Sequence, residues 1–153
     1  MRWLFWPAFA AILWLAAYYM VPRENIRRFW TLGLIGGAGL TLLIQVIAVP
    51  LLGLWRFINP FFSIAGIPLF LPVAYIAEVL IFAQYLPPGT GERALYVVGF
   101  GGLNMAVEWF FLRYGLMAHP DWNLLYTFFL GIVAHLAVVY LYTLLVSREA
   151  KTV

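Results

Sequence analysis

The sequence predicts an all-α integral membrane protein: a compact bundle of about five transmembrane helices, forming a single domain over residues 1–153. Three observations lead there. Hydrophobic residues make up 65% of the chain and charged residues only 10%, where soluble proteins carry roughly a quarter. The mean hydropathy is +0.95. The apolar residues fall into five runs near the length of about 20 that a helix needs to cross a bilayer, which leaves no room for a separate soluble domain.

Composition also excludes chemistry. The chain has no cysteine, which removes disulfides, thiolate nucleophiles and sulfur-ligated metals together. Its net charge of +3 comes mostly from arginines beside the apolar runs. With no Lys/Arg cluster interleaved with aromatics, this is a topology signal and not a nucleic-acid surface, so the partner expected is the lipid bilayer.

Span 1 covers residues 3–21. Its charged leader is only Met1-Arg2, and its apolar run is longer than the core of a usual signal peptide, so it reads as a retained helix. Having almost no polar residue before Tyr18, it is expected at the periphery, facing lipid on most sides.

Span 2, residues 31–55, opens with Gly33, Gly36, Gly37 and Gly39. Gly33 and Gly37 form a small-xxx-small pair that permits close helix approach, within the chain or to a partner, including a second copy. Ala38, Thr41, Gln45 and Ala48 recur at helical spacing and make a small, polar face expected to point inward. Pro50 should kink the far end.

Span 3, residues 61–86, carries Gly66, Pro68 and Pro72 in its first half. Each proline removes an intrahelical hydrogen bond, so that half is expected to be kinked, unwound or partly re-entrant, with clean helix from about Pro72. Glu78 lies inside it, with Ala74, Tyr75, Phe82 and Tyr85 on the same side.

The stretch from Pro87 to Arg93 is the clearest break in the chain. Its Gly89-Thr90-Gly91 follows no strand and precedes no P-loop lysine, so it reads as a plain turn.

Span 4, residues 94–114, places Gly101, Asn104 and Glu108 on one face. Arg113 lies about 140° around the helix from Glu108, a poor partner, and is expected to snorkel to the interface. Span 5, residues 124–146, puts Thr127, Gly131 and His135 on one face, with Asp121 or Asn123 as its N-cap.

Loop charges set the orientation. With five spans, Arg23, Arg27, Arg28, Arg93, Arg148 and Lys151 fall on one side and Arg2, Arg56 and Arg113 on the other. That split places the C-terminus in the cytoplasm and the N-terminus outside, in the cell (inner) membrane.

The candidate site is polar and intramembrane: Glu108, His135, Glu78, Asn104 and Gln45. A carboxylate is costly in hydrocarbon and is rarely kept there unless it faces protein, water or a partner. Span midpoints put Asn104 and His135 near mid-membrane, with Glu108 roughly 6 Å outward and Glu78 roughly 7 Å toward the cytoplasm at 1.5 Å per residue. Because a short loop joins spans 4 and 5, this depth match suggests an imidazole–carboxyl pair between His135 and Glu108. The competing reading is that these groups hydrogen-bond across helices and fix packing without any ligand.

No cofactor is expected. His119 and Asp121 could hold a metal only with ligands from elsewhere, and no such cluster is present in sequence. No serine, cysteine or lysine sits beside His135 as a nucleophile.

Four stretches carry a resemblance: Gly53-Leu54-Trp55-Arg56-Phe57, Ile81-Phe82-Ala83-Gln84-Tyr85-Leu86, the Glu108 region with Leu112-Arg113-Tyr114-Gly115, and Trp122-Asn123 with Tyr126-Thr127-Phe128. Through them residues 54–142 resemble a functionally uncharacterised family of small five-span membrane proteins found mainly in spore-forming Gram-positive bacteria. Its members often carry an acidic residue just ahead of the span 3 proline, where this chain reads Pro68-Leu69-Phe70-Leu71-Pro72. The resemblance implies an inner-membrane location and no activity.

Three function classes fit: a protein with an intramembrane site for a proton, ion or small ligand between spans 3, 4 and 5; a non-catalytic structural or partner-binding subunit; and a membrane enzyme acting on a lipid or isoprenoid. Missing motifs count most against the enzyme.

Overall fold

The computed structural model describes residues 4–146. The first residues of span 1, with Arg2, and the tail with Arg148 and Lys151 lie outside the described residues. The described chain is all-α apart from two short ribbons. Its helices are α1 (Phe5–Met20), α2 (Arg23–Arg28), α3 (Trp30–Leu51), α4 (Phe70–Gln84), α5 (Thr90–Arg113) and α6 (Leu124–Leu145). Three of them, α3, α5 and α6, are long and apolar enough to cross a membrane, while α1 and α4 are apolar but shorter.

The bundle is built around α4. Ten of its 15 residues are buried, on every side of the helix, as expected where an all-round apolar sequence has neighbours all round. One flank is covered by α1, the other by the glycine-rich start of α3. A Cβ on Gly37 would stand 2.6 Å from the Tyr75 carbonyl oxygen and 2.8 Å from Ile76 Cα, so the two backbones touch where no side chain intervenes. The small-residue face of span 2 is thus occupied by the chain's own α4.

Helix α1 buries a single stripe, Trp6, Ala10 and Ala17, and exposes most of its remainder, as a peripheral helix does. Trp6 is fully buried, edge-on to Phe57 and Phe111 at ring distances of 5.0 and 5.1 Å.

Glycines also set the register of the antiparallel pair α5 and α6. A Cβ on Gly131 would come within 3.1 Å of Gly101 Cα, and one on Gly101 within 2.8 Å of Ile132 Cγ1. Asn104 lies opposite Gly131, and Phe100 opposite His135 with ring centroids 5.0 Å apart. Of the two N-cap candidates for α6, Asn123 holds the position: its side chain accepts from the Tyr126 N–H at 3.1 Å.

Two helix boundaries differ from the sequence expectation, the end of span 2 and the start of span 4, while span 3 has the broken first half expected of it, with helix starting close to Pro72. Helix α3 ends at Leu51 and not near residue 55: its last turn is a wide π-type turn around Pro50, which has no N–H to give, and Gly53 follows with φ 63°. Span 3 is helical only from Phe70. Its first half is a hairpin in which β2 (Ser63–Ile64) pairs with β3 (Ile67–Pro68) around Ala65-Gly66, both at positive φ. Span 4 begins early, at Thr90, within the predicted turn, and the Arg93 guanidinium donates back to the carbonyls of Pro87 and Pro88.

The second ribbon closes one end of the bundle. In it β1 (Arg56–Phe57) pairs antiparallel with β4 (Met117–Ala118), tying the segment after α3 to the loop between α5 and α6. Trp55 and Trp122 meet edge to face beside it at 5.0 Å.

Candidate functional site

Between two apolar clusters the helices line a partly open cavity of about 90 Å³. Val79 and Val138 reach it from one cluster, Trp55 and Phe111 from the other. That volume has room for several waters or one small molecule, and its polar lining makes a filled cavity the natural state.

All five sequence candidates line this cavity: Gln45 from α3, Glu78 from α4, Asn104 and Glu108 from α5, and His135 from α6. Their placement follows from the helical period. On α4, Glu78 comes one turn after Ala74 and Tyr75, and Tyr75 also reaches the cavity; on α6, Thr127, Gly131 and His135 recur every four residues along one line.

The pairing differs from the expectation. Among the described residues His135 makes no ion-pair contact with Glu108. Its Nε2 lies 3.3 Å from Glu78 Oε1, and its Nδ1 lies 2.8 Å from the Gly131 carbonyl. The Glu108 carboxylate instead accepts from the Thr127 hydroxyl and has His119 Nε2 at 3.0 Å. The reason is register. Matching span midpoints sets Asn104 against His135, whereas the Gly101–Gly131 contact sets Asn104 against Gly131, one helical turn away. Glu108, one turn further on, then meets Thr127, and His135 meets Phe100.

Each histidine–carboxyl pair is sheltered. Glu78 is 9% exposed and His135 3%, and the His135 ring lies between Phe82 and Phe100 at 4.8 and 5.0 Å. Neither histidine Nε2 forms an aligned hydrogen bond, so both contacts are close approaches without a linear donor–acceptor geometry. At the other end, burial pushes the His119 imidazole below its ordinary pKa, favouring the neutral ring.

A short relay runs from Trp122 through Thr127 to Glu108, and a separate bond joins Trp55 to Gln45. Trp122 Nε1 donates to Thr127 Oγ1 at 2.8 Å, and Thr127 in turn donates to Glu108. Trp55 Nε1 donates to Gln45 Oε1 at 2.9 Å, which turns the Gln45 amide nitrogen free. Among the described residues, the side chains of Thr41, Tyr75 and Asn104 line the cavity with no hydrogen-bond partner, leaving them open to whatever fills it.

Sequence reasoning did not include Thr127, His119, Tyr75, Trp55 and Trp122 in the site. Thr127 had a legible signal, since it shares a helical line with His135. His119 had none: its approach to Glu108 depends on the β1–β4 ribbon folding the loop back over α5. No group of three or more His, Cys, Asp or Glu side chains that could hold a metal occurs among the described residues. Comparison with protein families, with curated proteins and with solved structures returns no match to this chain.

Proposed function

We propose that this is a five-span integral membrane protein whose bundle holds an intramembrane site for a proton, ion or small polar ligand, built on Glu78, His135 and Glu108. The observation that carries the reading is that two histidine–carboxyl pairs stand against one polar cavity, with Glu78, His135 and Glu108 in its wall. Packing alone would be served by groups that satisfy one another. Here several polar side chains line one partly open cavity without a hydrogen-bond partner among the described residues, an arrangement suited to exchanging a proton or holding a guest.

The five-span count rests on α1 and α4 as well as the three longer helices. With 16 and 15 residues they reach about 24 and 22 Å at 1.5 Å per residue, short of a hydrocarbon core of about 30 Å. Helix α4 is sheathed by protein, and a non-helical lead such as the β2–β3 hairpin is tolerable at membrane depth where protein or water covers its backbone. The loop charges orient the bundle with its C-terminus in the cytoplasm and the β1–β4 ribbon outside.

The test is spectroscopic. In the full chain reconstituted in lipid, the carbonyl stretch of protonated carboxyl groups should change with pH between about 5 and 8, where imidazole also titrates. At least one of Glu78→Gln and Glu108→Gln should remove part of that change. A carboxyl spectrum that is flat over this range, and identical in both variants, would overturn the reading.

A further inference from the structure

Building on the intramembrane site just described, we infer that its ligand is a small protonated amine with a compact hydrocarbon body. His135 sets the first requirement on that ligand. Its Nδ1 lies 2.8 Å from a backbone carbonyl, which only accepts, so Nδ1 carries a proton, and whenever the ring is neutral Nε2 is an acceptor. That Nε2 is fully enclosed, has no aligned donor, and faces Glu78 Oε1 at 3.3 Å. Two acceptors turned toward each other need a hydrogen between or beside them, either a proton held by the pair or a donor brought by a ligand. An ammonium group supplies several N–H donors at once and could serve both.

Charge points the same way. Among the described residues the cavity wall holds two carboxyl groups, Glu78 and Glu108, and neither a lysine nor an arginine. An anion would meet unbalanced like charge, whereas a cation would neutralise it. Trp55, Tyr75 and Phe111 add aromatic faces of the kind that attract organic ammonium groups.

The rest of the wall selects against a bare metal ion. A hard cation takes about six oxygen ligands, whereas much of this lining is hydrocarbon from Leu40, Ile44, Val107, Leu130 and Val138. Those side chains fit an apolar body behind the ammonium head. A cavity of about 90 Å³ accommodates roughly six to nine water-sized groups at about 10–15 Å³ each, which sets the size of the guest.

Three matched probes test this on the full chain in lipid nanodiscs: cyclohexylamine as its hydrochloride, cyclohexanol, and cyclohexanecarboxylate, at a pH where the amine is protonated. Tryptophan fluorescence and melting temperature are the readouts, since Trp55 lies in the wall. The amine should bind saturably, at least tenfold more tightly than the alcohol, and the carboxylate should not bind. Glu78→Gln and Glu108→Gln should each weaken amine binding tenfold or more in protein whose circular dichroism is unchanged. Preference for amine over alcohol is measured on the wild type, so the inference stays testable if either variant fails to fold. Equal affinity for amine and alcohol, saturable binding of neither, or amine binding untouched by both variants would overturn it. If amine binding fails while the carboxyl signal still titrates and is lost in the variants, the ligand class is wrong and the proton site stands; if both fail, both readings fall.

Discussion

The imidazole of His135 is engaged from both sides, with Nδ1 2.8 Å from the Gly131 carbonyl and Nε2 3.3 Å from Glu78 Oε1. The first contact fixes the ring's tautomer and rotation, and the second aims its free nitrogen across the helix interface from α6 to α4. A group on Glu78 that can donate a hydrogen therefore supports the ring, and one that cannot leaves a buried acceptor alone.

Two substitutions separate those cases. Glu78→Gln keeps the shape and can turn an amide N–H toward Nε2, so its melting in detergent should stay near the wild type. Glu78→Leu removes every donor and should cost about 1 to 3 kcal/mol, the penalty of an unsatisfied buried polar group. Equal stability of the two variants would show that the His135–Glu78 contact does not support the fold.

Close helix approach predicts an order among glycine substitutions. Gly37→Leu drives a side chain into the α4 backbone, and Gly101→Ala presses on Ile132 and the Phe128 carbonyl, so each should cost on the order of 1 to 3 kcal/mol. Gly102→Ala meets nothing within 4 Å and should be neutral or stabilise by up to about 1 kcal/mol through helix propensity. Thermal melting of the three variants checks the ranking, and a Gly37→Leu protein as stable as Gly102→Ala would refute the packing.

His119 should make stability depend on pH. Burial holds its folded-state pKa below the unfolded value of about 6.5, so between the two values the unfolded chain binds a proton that the folded protein does not. Its contribution is complete above about pH 6.5 and is lost as pH falls toward the folded value. Glu108 is the titratable group facing it, at 3.0 Å. His119→Gln should flatten the fall in melting temperature between about pH 7 and 5 relative to the wild type. Parallel curves would rule the imidazole out as the cause.

The orientation is tested by a reporter active only in the cytoplasm, fused after Val153. It should be active, and the same reporter placed in the loop at Asn59 should be silent. A silent, properly expressed fusion at Val153 would reverse the proposed topology.

Much of the helix layout follows from the sequence alone, because hydrocarbon length and helical period are local properties of the chain. Apolar runs locate the helices, and spacings of three and four put Asn104 with Glu108 and Thr127 with His135 on single faces without reference to any neighbour. The cost of polar groups among apolar ones singles out Glu78, Glu108 and His135 in the same local way. Pairing is different, since it depends on how far one helix slides along another. That slide is set by the contact of Gly101 with Gly131, which leaves Glu108 opposite Thr127 and His135 opposite Phe100, with Glu78 of α4 as the carboxyl beside His135. The hairpin before α4 and the ribbon that brings His119 to Glu108 are likewise tertiary, because backbone pairing between β1 and β4 joins residues about 60 positions apart that no local pattern links.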